Sequence, residues 1–185
     1  MKKIILISGK ARSGKDYIAD LLKSKFEEDG KKVLKLAYAD KLKEYLCVLF
    51  NLDLATLNDL KNSEIPFCLN GLTMRQILQK FGTDIFTKNI DEMFWVKEAA
   101  KTIKNSDAEI ILITDYRFNN ERQIDSYVNS KVLEIRISGT NCIRSFNHIS
   151  EFALDNNKFD YYYDNSDYTK TKENIENLYN FIKNN

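Results

Sequence analysis

The chain has 185 residues, 43% hydrophobic and 30% charged, with 28 basic against 27 acidic side chains. That describes one ordinary soluble domain, long enough for a substantial core. The near-neutral balance gives no electrostatic argument for a nucleic-acid or membrane partner, and no apolar run approaches the roughly 20 residues that span a bilayer.

In chain order, the spacing predicts a strand over residues 3–8 (KIILIS), a glycine-rich loop over 9–16 (GKARSGKD) and an amphipathic helix from Tyr17 (YIADLLKSKF). Glu28-Asp29-Gly30 closes that helix, and 33–37 (VLKLA) reads as the second strand. Asp40 is expected to cap a helix running to about Phe50, followed by a short helix over 52–60. Residues 62–72, holding the only proline, read as irregular. Thr73 opens a helical pattern (Met74, Ile77, Leu78, Phe81) expected to end at Gly82, and a second pattern runs from Met93 to about Lys104. Residues 109–114 (EIILIT), 131–138 (KVLEIRIS) and 159–163 read as three further strands, and 172–183 as a closing helix with Ile175, Leu178, Tyr179 and Ile182 on one face. Strands alternating with helices imply an α/β fold, a three-layer α/β/α sandwich on a five-stranded, mostly parallel sheet.

Strand, loop and helix at the start form a phosphate-binding P-loop, G-x-x-x-x-G-K-S/T, except that Asp16 stands at the Ser/Thr position. Composition alone would give about 0.02 such matches in a chain of this size. Gly9 and Gly14 let the N–H groups of Lys10, Ala11, Arg12, Ser13, Lys15, Asp16 and Tyr17 converge on one concavity, to which the helix adds its unpaired donors and dipole. Lys15 is the residue to reach the β- and γ-phosphates. The expected ligand is therefore a nucleoside triphosphate.

Asp115 ends the third apolar run, where a carboxylate can hold Mg²⁺ or its waters; the alternative is a cap for the helix after it. Lysines outnumber arginines 22 to 6, so a position that is Arg despite this bias is a candidate for bidentate phosphate binding. Arg12 lies in the loop itself, Arg75 opens the middle helix with Gln79 one turn on, Arg117 and Arg122 flank FNNE, and Arg144 falls in a segment without apolar period that reads as a lid, about 139–150. Phe94 and Trp95 fit a core face better than a base-stacking platform. Cys47, Cys68 and Cys142 form no C-x-x-C pair and read as reduced thiols of a cytoplasmic protein, and the lone His148 leaves few parts for a histidine-based site.

The loop GKARSGKD, the segments MRQILQKFGTDIF and MFWVKEAA, TDYRFNNE (114–121) and HISE (148–151) together resemble phage-type deoxynucleoside monophosphate kinases in order and spacing. AYADKLK (37–43) resembles that family's loop after the second strand, and Lys88 stands where some members carry arginine. Animal-type phosphomevalonate kinases are similar to the chain in the S-G-K-D loop, the D-x-R element and the tail ALDNNKFDYYYDN (153–165) with NIENLYNFI (174–182).

The first resemblance implies one kinase domain with an inserted helical acceptor-binding region at about 40–105, and ATP- and Mg²⁺-dependent phosphorylation of a deoxynucleoside monophosphate. It implies Lys15, Arg12, Arg117, Arg144 and Asp115 as catalytic, residues 9–17 as the nucleotide loop, and Asp16 and Asp115 as metal ligands. Asp40, Lys43, Arg75, Gln79, Asp84 and Trp95 become the acceptor-binding candidates, and a homodimer is compatible with the family. The second resemblance implies a phosphomevalonate-type acceptor. The rival class is a regulatory ATPase with no metabolite acceptor.

Overall fold

A continuous apolar run such as residues 109–114 can bury both faces only inside a sheet covered by helices. The computed structural model, which describes residues 2–139 and 149–185, has that arrangement. Strands β1 (Lys3–Ser8), β2 (Val33–Leu36), β3 (Ile110–Ile113), β4 (Lys131–Ser138) and β5 (Tyr161–Asp164) form one parallel sheet in the order β2-β3-β1-β4-β5. Leu6 pairs with Ile113 and Ser8 with Arg136, so the loops after β1, β3 and β4 leave the same, carboxyl edge.

The core follows the two-residue alternation of the strands. Ile5, Ile7, Leu112, Leu133, Ile135 and Ile137 pack with helices α1 (Lys15–Glu28) and α7 (Thr171–Asn184). The four residues predicted for the inner face of α7 are all buried there. Residues of the other parity, Ile4, Leu6, Ile111 and Ile113, are fully buried as well. With α5 (Phe94–Asn105) and α6 (Ile124–Val128) contributing the fully buried Ile103 and Ile124, the architecture is a three-layer α/β/α sandwich.

The chain divides into two compact units, Met1–Ala37 with Ala100–Asn185, and Tyr38–Ala99. The first holds the sheet. The second is helical, with α2 (Ala39–Phe50), α3 (Leu54–Asn62), α4 (Met74–Gln79) and a π-helical turn over Lys80–Thr87 that leads toward α5. Pro66 and Thr73 make an isolated antiparallel bridge across the irregular segment between α3 and α4.

Three local expectations are corrected. Asp40 does not cap α2: the helix begins at Ala39, and Asp40 sits in its first turn with Lys43 Nζ 3.6 Å away. An acid serves the helix dipole equally well from either position, so residue type could not distinguish them. Gly82 does not stop the middle helix. It is buried in the π turn, and its carbonyl accepts from two side chains, Trp95 Nε1 (3.0 Å) and Thr87 Oγ1 (2.8 Å). Asp115 is not a cap either: the 3₁₀ turn after it begins at Asn119 with Phe118 in the cap position, and the N–H groups of Arg117 and Phe118 before it turn to Glu121. Arg144, His148 and Cys142, with most of the expected lid, lie outside the described residues.

Candidate functional site

The phosphate loop has the conformation its glycines were expected to permit. Gly14 has φ +89°, and a β-carbon there would collide with the Asn165 side-chain amide, whose Nδ2 donates to Ser13 O at 3.1 Å. A β-carbon on Gly9 would stand 2.5 Å from Ile137 O. Between them Arg12 adopts φ +64°, an uncommon conformation for a side-chain-bearing residue, with its guanidinium exposed. Helix α1 starts at Lys15, directly after Gly14, so its first N–H groups open into the loop.

Lys15 reaches back across the loop and donates to Lys10 O at 2.9 Å. Burial, then the nearby Arg117 cation, pull its pKa down to about 8, against the fields of Glu151, Asp16 and Asp115. An ammonium held this way gains from the arrival of a polyanion, which restores its charge.

The loop after β3 lies beside it. Tyr116 N donates to Ile7 O at 3.2 Å, which ties this loop to β1 and sets Asp115 and Arg117 on either side of a fixed point. Glu121 holds the loop from beneath, its Oε2 accepting from Arg117 N (2.6 Å) and Phe118 N (3.0 Å). Burial and Asp115 push the Glu121 carboxyl up to about 8, while those two N–H groups and Arg117 pull the other way. Tyr116 donates to Glu134 Oε2 (2.8 Å), and burial and that carboxylate raise its pKa. Arg122 is an architectural residue: Nε donates to Glu134 Oε1 at 2.7 Å and NH1 to Asp125 Oδ2 at 2.9 Å.

Residues 149–160 attach to the phosphate loop at two carboxylates. Glu151 accepts from Ala11 N (3.1 Å) through Oε2 and from Arg117 NH1 (2.5 Å) through Oε1. Asp155 takes Lys10 Nζ on one oxygen and Arg136 NH2 (2.5 Å) on the other, and Arg136 NH1 donates to the buried Ser8 Oγ at 2.8 Å. Sequence reasoning gave Glu121, Glu151, Asp155, Arg136 and Asn165 no role. Their common feature is a partner more than a helical turn away, and in four cases on another element.

Asp16 and Asp115, whose charges both act on Lys15, are hard oxygen donors of the kind that could hold magnesium. Asp16, with its side chain 76% exposed, has Lys35 Nζ at 3.9 Å; Lys35 is held more closely by Asp20 at 2.7 Å. Among the described residues no cluster of three metal-binding side chains occurs.

The other predicted residues lie in the helical unit. Thr73 caps α4 with a reciprocal capping box to Gln76, which starts the helix two residues before Arg75 and puts Gln79 one turn beyond it on the same side. Asp84 lies in the π turn and pairs with Lys88 Nζ at 2.8 Å. Trp95 is buried beside Phe86 and Phe94 behind that turn, as expected for a core residue. Asp40 and Lys43 pair with each other in the first turn of α2.

Two solved structures of the Mycobacterium tuberculosis APS kinase CysC are similar to the chain. One, a cysteine-to-alanine mutant, has a TM-score of 0.54 and 12% identity over 98% of this chain and 97% of that one. The other, in complex with AMPPNP and APS, has a TM-score of 0.55 and 10% identity over 98% of each. At such identities the likeness shows the fold. No curated protein matches the sequence. A family model for phosphomevalonate kinase matches residues 7–130, which run from the end of β1 through the phosphate loop, the helical unit and the Asp115–Arg117 loop. A match over more than half the chain, on a parallel sheet with a formed phosphate loop at its carboxyl edge, gives the conclusion that this chain belongs to the phosphomevalonate kinase family and is a small-molecule kinase.

Proposed function

We propose that the protein transfers the γ-phosphoryl group of ATP to the phosphate of a deoxynucleoside monophosphate. The observation that carries the reading is the convergence of Lys15, Arg117 and Asp115 at the mouth of the phosphate loop, where burial and Arg117 pull the Lys15 pKa down to about 8. A site that crowds cations in this way is suited to two polyanionic phosphates. The acceptor, with a second pKa near 6, is mostly dianionic at pH 7 and needs no general base. Its oxygen attacks the γ-phosphorus, the bond from that phosphorus to the β,γ-bridging oxygen breaks, and ADP leaves with the electron pair.

In this reading Lys15 and the loop over residues 9–17 bind the ATP phosphates, through backbone N–H groups other than those of Ala11 and Ser13, which are given to Glu151 and to Lys10 O, and Asp16 and Asp115 hold Mg²⁺ directly or through water. A dication held by these two carboxylates would neutralise negative charge that builds on the phosphates during transfer. Arg117 and Arg75 clamp the acceptor phosphate. Gln79 and Asp84 face the nucleoside, with Asp40, Lys43 and Trp95 belonging to the same acceptor region. Arg12 and Arg144 neutralise the transferring group. The nucleoside assignment rests on the L-Q-x-x-G-T-D run, which builds α4 and the π turn; π turns recur at functional sites.

The family match supports a second reading, phosphomevalonate as acceptor, although it ends at residue 130, before the tail that most resembles those kinases. One experiment separates the readings. The protein is incubated with ATP·Mg²⁺ and, separately, each deoxynucleoside monophosphate, each ribonucleoside monophosphate and phosphomevalonate, and products are identified by mass. A deoxynucleoside diphosphate is expected. Phosphorylation of phosphomevalonate alone would establish the second reading, and slow ATP hydrolysis unaffected by any acceptor would make the chain a regulatory ATPase. Lys15→Ala should abolish transfer with the fold intact by circular dichroism; near-native turnover would refute the assignment of the loop.

A further inference from the structure

Glu151 has a position that no part of the reaction above uses. Its side chain is 7% exposed, and both carboxylate oxygens are engaged, Oε1 by the guanidinium of Arg117 and Oε2 by the backbone N–H of Ala11. Both partners are donors. Only a group with two acceptor oxygens at that spacing satisfies them together; a carboxamide would accept one bond and turn its own N–H groups on the other partner. Burial resists the charge on Glu151, but Arg117, the Ala11 N–H and Lys15 outweigh it and hold the carboxyl below its usual range.

The Arg117 guanidinium is held along one edge only. Among the described residues all its hydrogen bonds are made by NH1, to Glu151 Oε1, Ser150 O (3.3 Å) and Ser150 Oγ (3.5 Å). Nε and NH2 have no partner among the described residues, and together they form a fork that matches two oxygens of a phosphate. The same carboxylate that secures the near edge is anchored to the phosphate loop at Ala11.

We propose that Glu151 is a positioning residue: it fixes the orientation of Arg117 and ties it to the ATP-binding loop, so that the free edge of the guanidinium meets the acceptor phosphate at a set distance from the ATP phosphates. The inference rests on the assignment of Arg117 to the acceptor. In-line transfer is sensitive to such spacing, since a misplacement of about 1 Å can cost on the order of 100-fold in rate.

The test is a double-mutant cycle of Glu151→Gln with Arg117→Lys and Arg117→Ala, using whichever acceptor the native protein phosphorylates. Glu151→Gln alone should lower kcat/KM for the acceptor by on the order of 100-fold, leave the ATP Kd within about threefold, and raise hydrogen exchange at the Ala11 amide. In either Arg117 background it should add no more than about threefold, because the group it positions is already lost. Glu151→Asp, shorter by one methylene, should recover charge but not reach both partners and so should not restore the rate. Equal losses in the native and Arg117 backgrounds would overturn the inference, as would parallel weakening of ATP and acceptor, which marks a merely structural residue. Tighter acceptor binding in Glu151→Gln would also overturn it, making the carboxylate an internal competitor of the phosphate. Absence of any native acceptor turnover is a different outcome: it removes the Arg117 assignment itself, while Ala11 exchange still reports whether the bridge exists.

Discussion

Gly14 shows how one residue can be constrained twice. Its φ of +89° costs a side-chain-bearing residue about 1–3 kcal/mol, and the space a β-carbon would take is filled by Asn165. Gly14→Ala should therefore weaken ATP binding by on the order of 100-fold, since it moves the N–H groups that follow, and lower the unfolding midpoint as well; calorimetric titration and a thermal melt would measure the two. Removing Asn165 should not rescue it, because the dihedral strain remains. Arg12 adopts a left-handed conformation without glycine's freedom, which marks the loop as holding strain at a residue assigned to catalysis. Lys35 Nζ lies 3.9 Å from Asp16, so a carboxylate at the loop's last position has a positive neighbour from β2, outside the motif.

At the scale of elements, the segment 149–160 is a strap across the phosphate loop, attached through Glu151 to Ala11 and through Asp155 to Lys10 and Arg136. Burial opposes the charge on Asp155, but Lys10 and Arg136 prevail and depress its pKa below the ordinary 3.8. A carboxyl with a depressed folded-state pKa adds stability above its unfolded value and loses it as pH falls through the folded one. Asp155→Asn should melt below the native protein at pH 7, with the difference shrinking once pH drops below 3.8; melts across that range check it, and a pH-independent difference would mean the charge is irrelevant. The π turn is the other element with a specific device. At Gly82, inside the widened turn, the carbonyl accepts from the side chains of both Trp95 and Thr87, which fastens the turn to the following helix.

For the molecule as a whole, the sheet unit and the helical unit divide the assigned tasks: the ATP loop, Asp115, Arg117 and Glu151 belong to the first, Arg75, Gln79 and Asp84 to the second. A division of this kind predicts separable kinetic effects. Arg75→Ala should raise the acceptor KM or lower kcat by 10-fold or more, on the order of a lost charged contact, with ATP affinity nearly unchanged by direct titration. Equal loss of both would make Arg75 structural. No helix among the described residues is long and apolar enough to cross a membrane.

The amino-acid sequence by itself determined what depends on near neighbours. Alternation and apolar runs located all five strands, heptad-like spacing located the inner face of α7, and eight consecutive residues specified a phosphate loop. Each of these signals is local, because glycine's dihedral freedom and the periods of helix and strand act within a few residues. Where a neighbour in space overrode a local rule, the reading failed: Gly82 reads as a helix stop until Trp95, 13 residues on, is seen donating to its carbonyl. Only the tertiary structure decided that Asn165 donates to Ser13 O and that Glu151 joins Arg117 to Ala11, contacts spanning 152, 34 and 140 residues. Buried donors and acceptors must be paired, but nothing in a linear pattern states which distant group will supply the partner.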